Sequence, residues 1–265
     1  QYNPRFPISV KMAINVGIKS SHNEHLLITT TDATPASEQW LQMMGKAFMR
    51  GEIVLGYTSI EQGEGLTSYL IRLSRMQIST YWLAQAVRGR AYRGSRSNIG
   101  FTKSLYFGVK GFTHLNMNIG ENDLFIQSIA HDNNASVVLI PKGRMIERQW
   151  GGMKWWMQHL HHYAEAYRYY PHAARNAMEW DLGSQVLFFL STLVALAVMP
   201  LEVKAVAALL LITRYLVAML RARSIAKRVG EKGVALRYFI FDVINPVIML
   251  GTRIAMLRKD STAWK

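Results

Sequence analysis

Apolar and polar positions alternate along the first third of the chain in the order helix, strand, helix, strand. Over residues 8–21, Val10, Ala13, Ile14 and Gly17 fall on one side, which predicts a helix. Leu26, Leu27 and Ile28 then run without a break into three threonines, Asp32 and Pro35. Such a run predicts a strand buried on both faces of a parallel sheet, stopped by the proline. Ser37–Arg50 reads as a second helix with Trp40, Leu41, Met44 and Phe48 inside, and Glu52–Ile60 as the next strand. The short connections predict parallel neighbours and hence an α/β fold.

Leu66–Val87 is a long amphipathic pattern: Leu66, Tyr69, Leu70, Leu73, Met76, Leu83, Ala84 and Val87 lie near one side, and Arg72, Arg75 and Arg88 are placed in water. Periodicity is equally consistent with packing on the sheet and with lying on a bilayer. The glycine- and arginine-rich Arg88–Asn98 is expected to be an exposed loop. Ala135–Ile140 reads as a strand, and Gln149–Tyr163 gathers three tryptophans and three histidines.

The pattern changes after Asp181. Leu182–Met199 has no charged residue over eighteen positions, about 27 Å as a helix. Pro200–Lys204 reads as a turn, and Ala205–Leu220 is a second apolar stretch broken only by Arg214. A soluble helical pair would alternate such stripes with polar faces, so the two predict a transmembrane hairpin. Arg221, Arg223, Lys227, Arg228, Lys232 and Arg237 follow, which places that side in the cytoplasm. Tyr238–Leu257 is apolar but holds Asp242, Pro246 and Arg253, the composition of an interfacial or re-entrant helix. Three units are expected: 1–180, a hairpin at 181–222, and a basic segment with its helix at 223–265.

The formal net charge of +14 suggests nucleic acid, an anionic membrane or phosphorylated substrates. Because many basic residues flank the apolar spans, membrane topology accounts for part of it, and no nucleic-acid partner is expected. There is no cysteine, which excludes disulfides and thiolate metal sites. Residue 1 is Gln, and the natural chain is expected to begin earlier.

Asp32, at the end of a strand, stands where open α/β sheets bind ligands and where a hard cation finds an oxygen ligand; capping of the following turn is the alternative. A basic loop suits a phosphate-bearing donor, or is simply solvated. Gly120–Ile126 (GENDLFI) sets carboxylates at a helix start, either to favour the helix dipole or to present a general base. His159 and His162 share a helix face, but without a carboxylate they make a weak metal site.

Taken together, these motifs resemble the membrane-bound glycosyltransferases of family 2, with a GT-A (Rossmann-like) fold, and a Bacteroidetes-like subgroup in particular. The resemblance runs from about Pro7 to the C-terminus; the family's first strands, which hold the nucleotide base, have no counterpart. It implies a nucleotide-sugar donor, a divalent cation (Mg or Mn), a glycan or lipid-linked acceptor, and inversion at the sugar carbon. It also implies a bacterial inner membrane with the catalytic-like domain in the cytoplasm, among membrane lipids and membrane-protein partner subunits. The family's Asp-x-Asp becomes Thr30 and Asp32, leaving Asp32 as metal ligand. Its acidic motif is matched by Gly120, Glu121, Asn122, Asp123, Leu124 and Phe125, with the base at Asp123 or Glu121, or lost if the register puts Asn122 there. Its Gln-Lys-x-Arg-His becomes Gln158, His159, Leu160, His161 and His162, and Ser97 stands where an arginine precedes Asn98. Lys11, Thr30, Tyr92, Asn98, Trp155, Gln158 and His161 are the implied donor- and acceptor-binding residues. The departures admit a second expectation, a non-catalytic relative acting as a binding or scaffold subunit.

Overall fold

A computed structural model describes residues 10–111, 121–131, 133–234 and 238–257; the side chains of Val10, Lys11, Glu121, His162 and 255–257 lie outside the described set. The fold is mixed α/β with two sheets. The larger has strand order β1 (His25–Ile28), β5 (Ile99–Thr102), β3 (Ile53–Gly56) and β6 (Ala135–Val138). The smaller has the order β2 (Ala33–Pro35), β7 (Met145–Glu147) and β4 (Thr58–Ile60).

This arrangement corrects several expectations. The Leu26–Ile28 run is an edge strand, not a central one, and it pairs antiparallel with β5, Leu26 opposite Phe101. Strand β5 is also antiparallel to β3, so only β3 and β6 are parallel neighbours in this sheet. Pro35 does not end the first strand; it belongs to β2, after a turn at Thr31 and Asp32. Glu52–Ile60 is two strands. The chain changes sheets at Tyr57, whose amide donates to Val138 O while its carbonyl accepts from Met145.

Strand β3 is buried on both faces because its alternate residues serve two layers. Val54 packs with Met44 and Ala47 of α2 (Trp40–Phe48) and with Val138. Ile53 and Leu55 face the main core, with Ile71, Ile78 and Trp82 of α3 (Gly65–Val87) and Phe125 and Ile126 of α5 (Glu121–Ile129). Helix α2 is shorter than expected, and Leu41 points outward rather than joining its buried stripe. Helices α1 (Val10–Ser20) and α4 (Lys103–Gly108) complete the layers; Thr102 caps α4 by accepting from Leu105 N.

Helix α3 packs on the sheet, and a second set of its residues, Tyr69, Leu70, Leu73 and Met76, meets Ala218, Ala222 and Ala226 of α8 (Leu201–Val229). Burial on both sides explains why Arg72, expected in water, is enclosed: its guanidinium pairs with Glu231 at 2.6 Å and donates to Lys232 O at 2.8 Å. Tyr57 donates to the same carboxylate at 3.0 Å, and burial followed by the Glu231 charge pushes its phenol well up, keeping it a donor. Leu66, Ala84 and Val87, expected inside, are exposed near the ends of α3.

Helices α7 (His172–Val198) and α8 are long and apolar enough to cross a membrane. Met199 and Pro200 alone join them, so the expected turn at Pro200–Lys204 lies mostly inside α8. Their outer faces expose Leu190, Leu193 and Val194, and Leu209, Leu210 and Val217. The basic residues through Arg228 are not a separate segment: α8 carries them on to Gly230, whose left-handed φ of +79 ends the helix as side-chain-bearing residues rarely do. Helix α9 (Tyr238–Leu257) packs on α6 (Met153–Tyr167), α8 and α3, leaving Phe239, Val243, Val247, Leu250 and Ile254 as an outward apolar stripe. Its Asp242 accepts from Gln185 of α7 at 2.8 Å and pairs with Arg214 of α8, tying three helices at one point.

Candidate functional site

Because β1 and β3 are both antiparallel to β5, and β3 is parallel to β6, the strands β1, β3 and β6 all point the same way. The chain therefore leaves all three at one edge, through the Thr30–Asp32 turn, Tyr57 and Leu139. The small sheet sits at this edge, with Asp32 in the turn that joins the two sheets.

Asp32 is fixed by backbone and side chain. Its carbonyl accepts from Arg148 N at 2.9 Å, and its carboxylate accepts from the Trp150 indole N–H at 3.2 Å. Partial burial alone would push its carboxyl up. Hydrogen bonds from Thr30, Trp150 and its own amide, with His159 nearby, outweigh that and hold it below the ordinary aspartate range. Thr30 shares a hydrogen bond with Ser97 at 2.9 Å. Ser97 in turn donates to Glu147, whose other oxygen receives Arg75. The site is thus a line of four polar side chains beside a carboxylate held ionised. His159 is exposed and lies against Trp155, ring centroids 4.7 Å apart.

The other candidates are dispersed. Asn98 is fully buried: it accepts from Trp40 Nε1 at 2.9 Å and donates to Tyr57 O and Gly143 O, each at 2.9 Å. With both amide hydrogens engaged it is a knot between elements, and a Cβ at Gly56 would meet its side chain at 2.3–2.6 Å. The Arg88–Asn98 stretch is consequently not the solvated loop expected, since Tyr92, Ser97 and Asn98 are all buried.

Asp123 is only 6 % exposed. It accepts from the Tyr170 hydroxyl at 2.6 Å and faces Arg93 Nε at 3.6 Å. The Arg93 guanidinium also lies over the Tyr163 ring, 4.4 Å from its centroid. Burial pushes the Tyr163 phenol up to about 12 and the Tyr92 phenol further still. Asn122 beside it is half-buried. On α6, Trp155 is half-buried and Gln158 exposed, while His161 Nδ1 is bound to Met157 O of its own helix at 2.7 Å. The side chains of Lys11, Glu121 and His162 lie outside the described residues.

Thr30 and Asp32 are therefore the expected residues brought together, and Trp155 lies against His159, whose charge acts on Asp32. Glu147 and Trp150 were missed; they follow from the pairing of β2 with β7, which no local pattern announces. Among the described residues no three histidines or carboxylates gather to hold a metal. Asp32 and the Thr30 hydroxyl nevertheless suit a hard cation that keeps its waters and arrives with a diphosphate, since such ions use only one or two carboxylates. No family model and no curated protein matches the chain.

Proposed function

We propose that the protein is a membrane-bound, family 2-like glycosyltransferase domain of the GT-A kind, anchored by α7 and α8 in a bacterial inner membrane with the sheets in the cytoplasm. The observation that carries this reading is a carboxylate, Asp32, at the edge where the parallel-running strands β1, β3 and β6 all end, in a chain that also has two membrane-length helices. The Asp32 carboxylate would hold a Mg or Mn ion, which when bound neutralises the diphosphate of a nucleotide sugar. The Thr30 hydroxyl stands beside the same oxygens, positioned by the buried Ser97, which itself donates to Glu147, and the Trp155–His159 face lines the side of a glycan or lipid-linked acceptor. The reaction class is displacement at the sugar carbon with departure of the nucleoside diphosphate.

A second reading has an observation of its own. Asp123, the implied base, is enclosed with Tyr170 and Arg93, and Asn122 accepts no proton at neutral pH. A domain that binds the donor without turnover, serving as a subunit for membrane-protein partners, fits that geometry. Calorimetry with nucleotide sugars and manganese tests the shared part: cation-dependent binding that Asp32→Asn removes is expected, and equal binding by both proteins refutes the site. Transfer assays in membranes then separate enzyme from subunit. Recovery of the chain in the soluble fraction after carbonate extraction would refute the hairpin.

A further inference from the structure

Away from Asp32, a cavity of about 290 Å³ opens between α3, the sheet and the last turns of α8. That size is near the lower end of small-molecule pockets, roughly 300–1,000 Å³. Its wall is apolar: Met76, Leu83, Val87, Leu139, Ile225 and Val229. The polar groups there are largely committed, Thr80 to Met76 O and Tyr57 to Glu231. Two guanidiniums, Arg88 and Arg228, also line it; both are exposed, and neither pairs with an acid among the described residues. An apolar hollow bearing two uncompensated cations is complementary to an amphiphile with an anionic head.

On the reading of α8 as a membrane helix, its apolar stretch ends at Leu220, and Ile225 and Arg228 lie about 8 and 12 Å further along the axis. Each headgroup layer is about 5–8 Å thick, so Ile225 stands at its outer limit and Arg228 beyond it, and a lipid that binds here is drawn outward from the leaflet. We infer that it binds one phosphate-bearing membrane lipid, the phosphate between Arg88 and Arg228 and the start of a chain against Leu83, Leu139 and Ile225. None of its lining residues is Thr30, Asp32, Ser97, Glu147 or Trp150, so this lipid is not the acceptor at the Asp32 edge. Because the hollow is walled by α3 on one side and α8 on the other, occupancy would clamp the sheet domain to its anchor.

The test uses the full chain purified in a neutral maltoside detergent, with lysophosphatidic acid as the probe. Native mass spectrometry and equilibrium binding should show one saturable molecule per chain. Replacing both arginines (Arg88→Gln with Arg228→Gln) should weaken binding at least tenfold, and Ala84→Trp, which fills the cavity, should abolish it. If the tryptophan variant fails to fold, Ala84→Leu is expected to weaken binding in the same direction. Monoacylglycerol of equal chain length should bind at least tenfold more weakly. Unchanged binding in the double-arginine and cavity-filled variants, equal affinity for monoacylglycerol, or full displacement by millimolar inorganic phosphate would each overturn the assignment. Since micelles replace the bilayer, absence of probe binding by the wild-type chain refutes the cavity alone, and release of the chain into the soluble fraction by carbonate refutes the hairpin alone.

Discussion

Asp32 and Asp123 are the same side chain in opposite settings. Asp32 stands in a turn between two sheets, half-buried, with an indole, a hydroxyl and amides as its nearest donors. Asp123 is inside, against a guanidinium and a phenol. Neutral donors keep a carboxylate ionised while leaving it free to meet an incoming cation. A fixed counter-charge instead neutralises it. The difference separates a carboxylate available to ligands from one that holds the fold.

The widest gap between them should appear in stability. Asp123→Ala leaves the half-buried Arg93 without this counter-charge and the buried Tyr170 hydroxyl without its acceptor, a loss of about 2–4 kcal/mol. At roughly 2–4 °C per kcal/mol, thermal unfolding of the detergent-solubilised protein should fall by about 10 °C. A fall under about 2 °C would break the contrast. Glu147→Gln, which weakens the partner of the half-buried Arg75 and the buried Ser97, should cost about 1–2 kcal/mol by the same measurement. Asp32→Asn should change stability by less than about 0.5 kcal/mol yet abolish manganese-dependent nucleotide-sugar binding. Thr30→Asp sharpens the comparison from the other side: a second carboxylate at this turn should tighten manganese about tenfold, read by calorimetry.

The smallest effect concerns acid. A carboxyl held below its ordinary value of 3.8 contributes stability that is present above that pH and lost as pH falls through the lower, folded value. Unfolding midpoints of wild type and Asp32→Asn should therefore differ by a constant small amount above pH 5 and converge towards pH 3. A gap that widens on acidification would mean that Asp32 is held by something other than these donors.

Much of this architecture was legible because helices announce themselves locally. The bounds of α3, and the membrane-length character of α7 and α8, follow from spacing and missing charge. Strand pairing does not, since Leu26–Ile28 carries the same apolar run whether it lies at an edge or in the middle. The break at Tyr57 depends on Val138 and Met145, both distant in the chain. Asp32 could be read as a ligand-edge carboxylate from its place after a strand. Glu147 could not, nor could the enclosure of Asp123, because Tyr170 and Arg93 reach it from other elements.

The Arg72–Glu231 pair also sets an order in time. Arg72 leaves the ribosome 159 residues before the carboxylate that neutralises it, roughly 8–30 s at about 5–20 residues per second. Throughout that interval α3 has no counter-charge for one of its inward faces, and the alanine row of α8 that covers it does not yet exist. The sheets can collapse early, but α3 cannot be sealed on that side until both apolar helices have been made. Docking of α3 on α8 thus waits for the second apolar helix, and a nascent protein stalled before Val229 would remain open along α3.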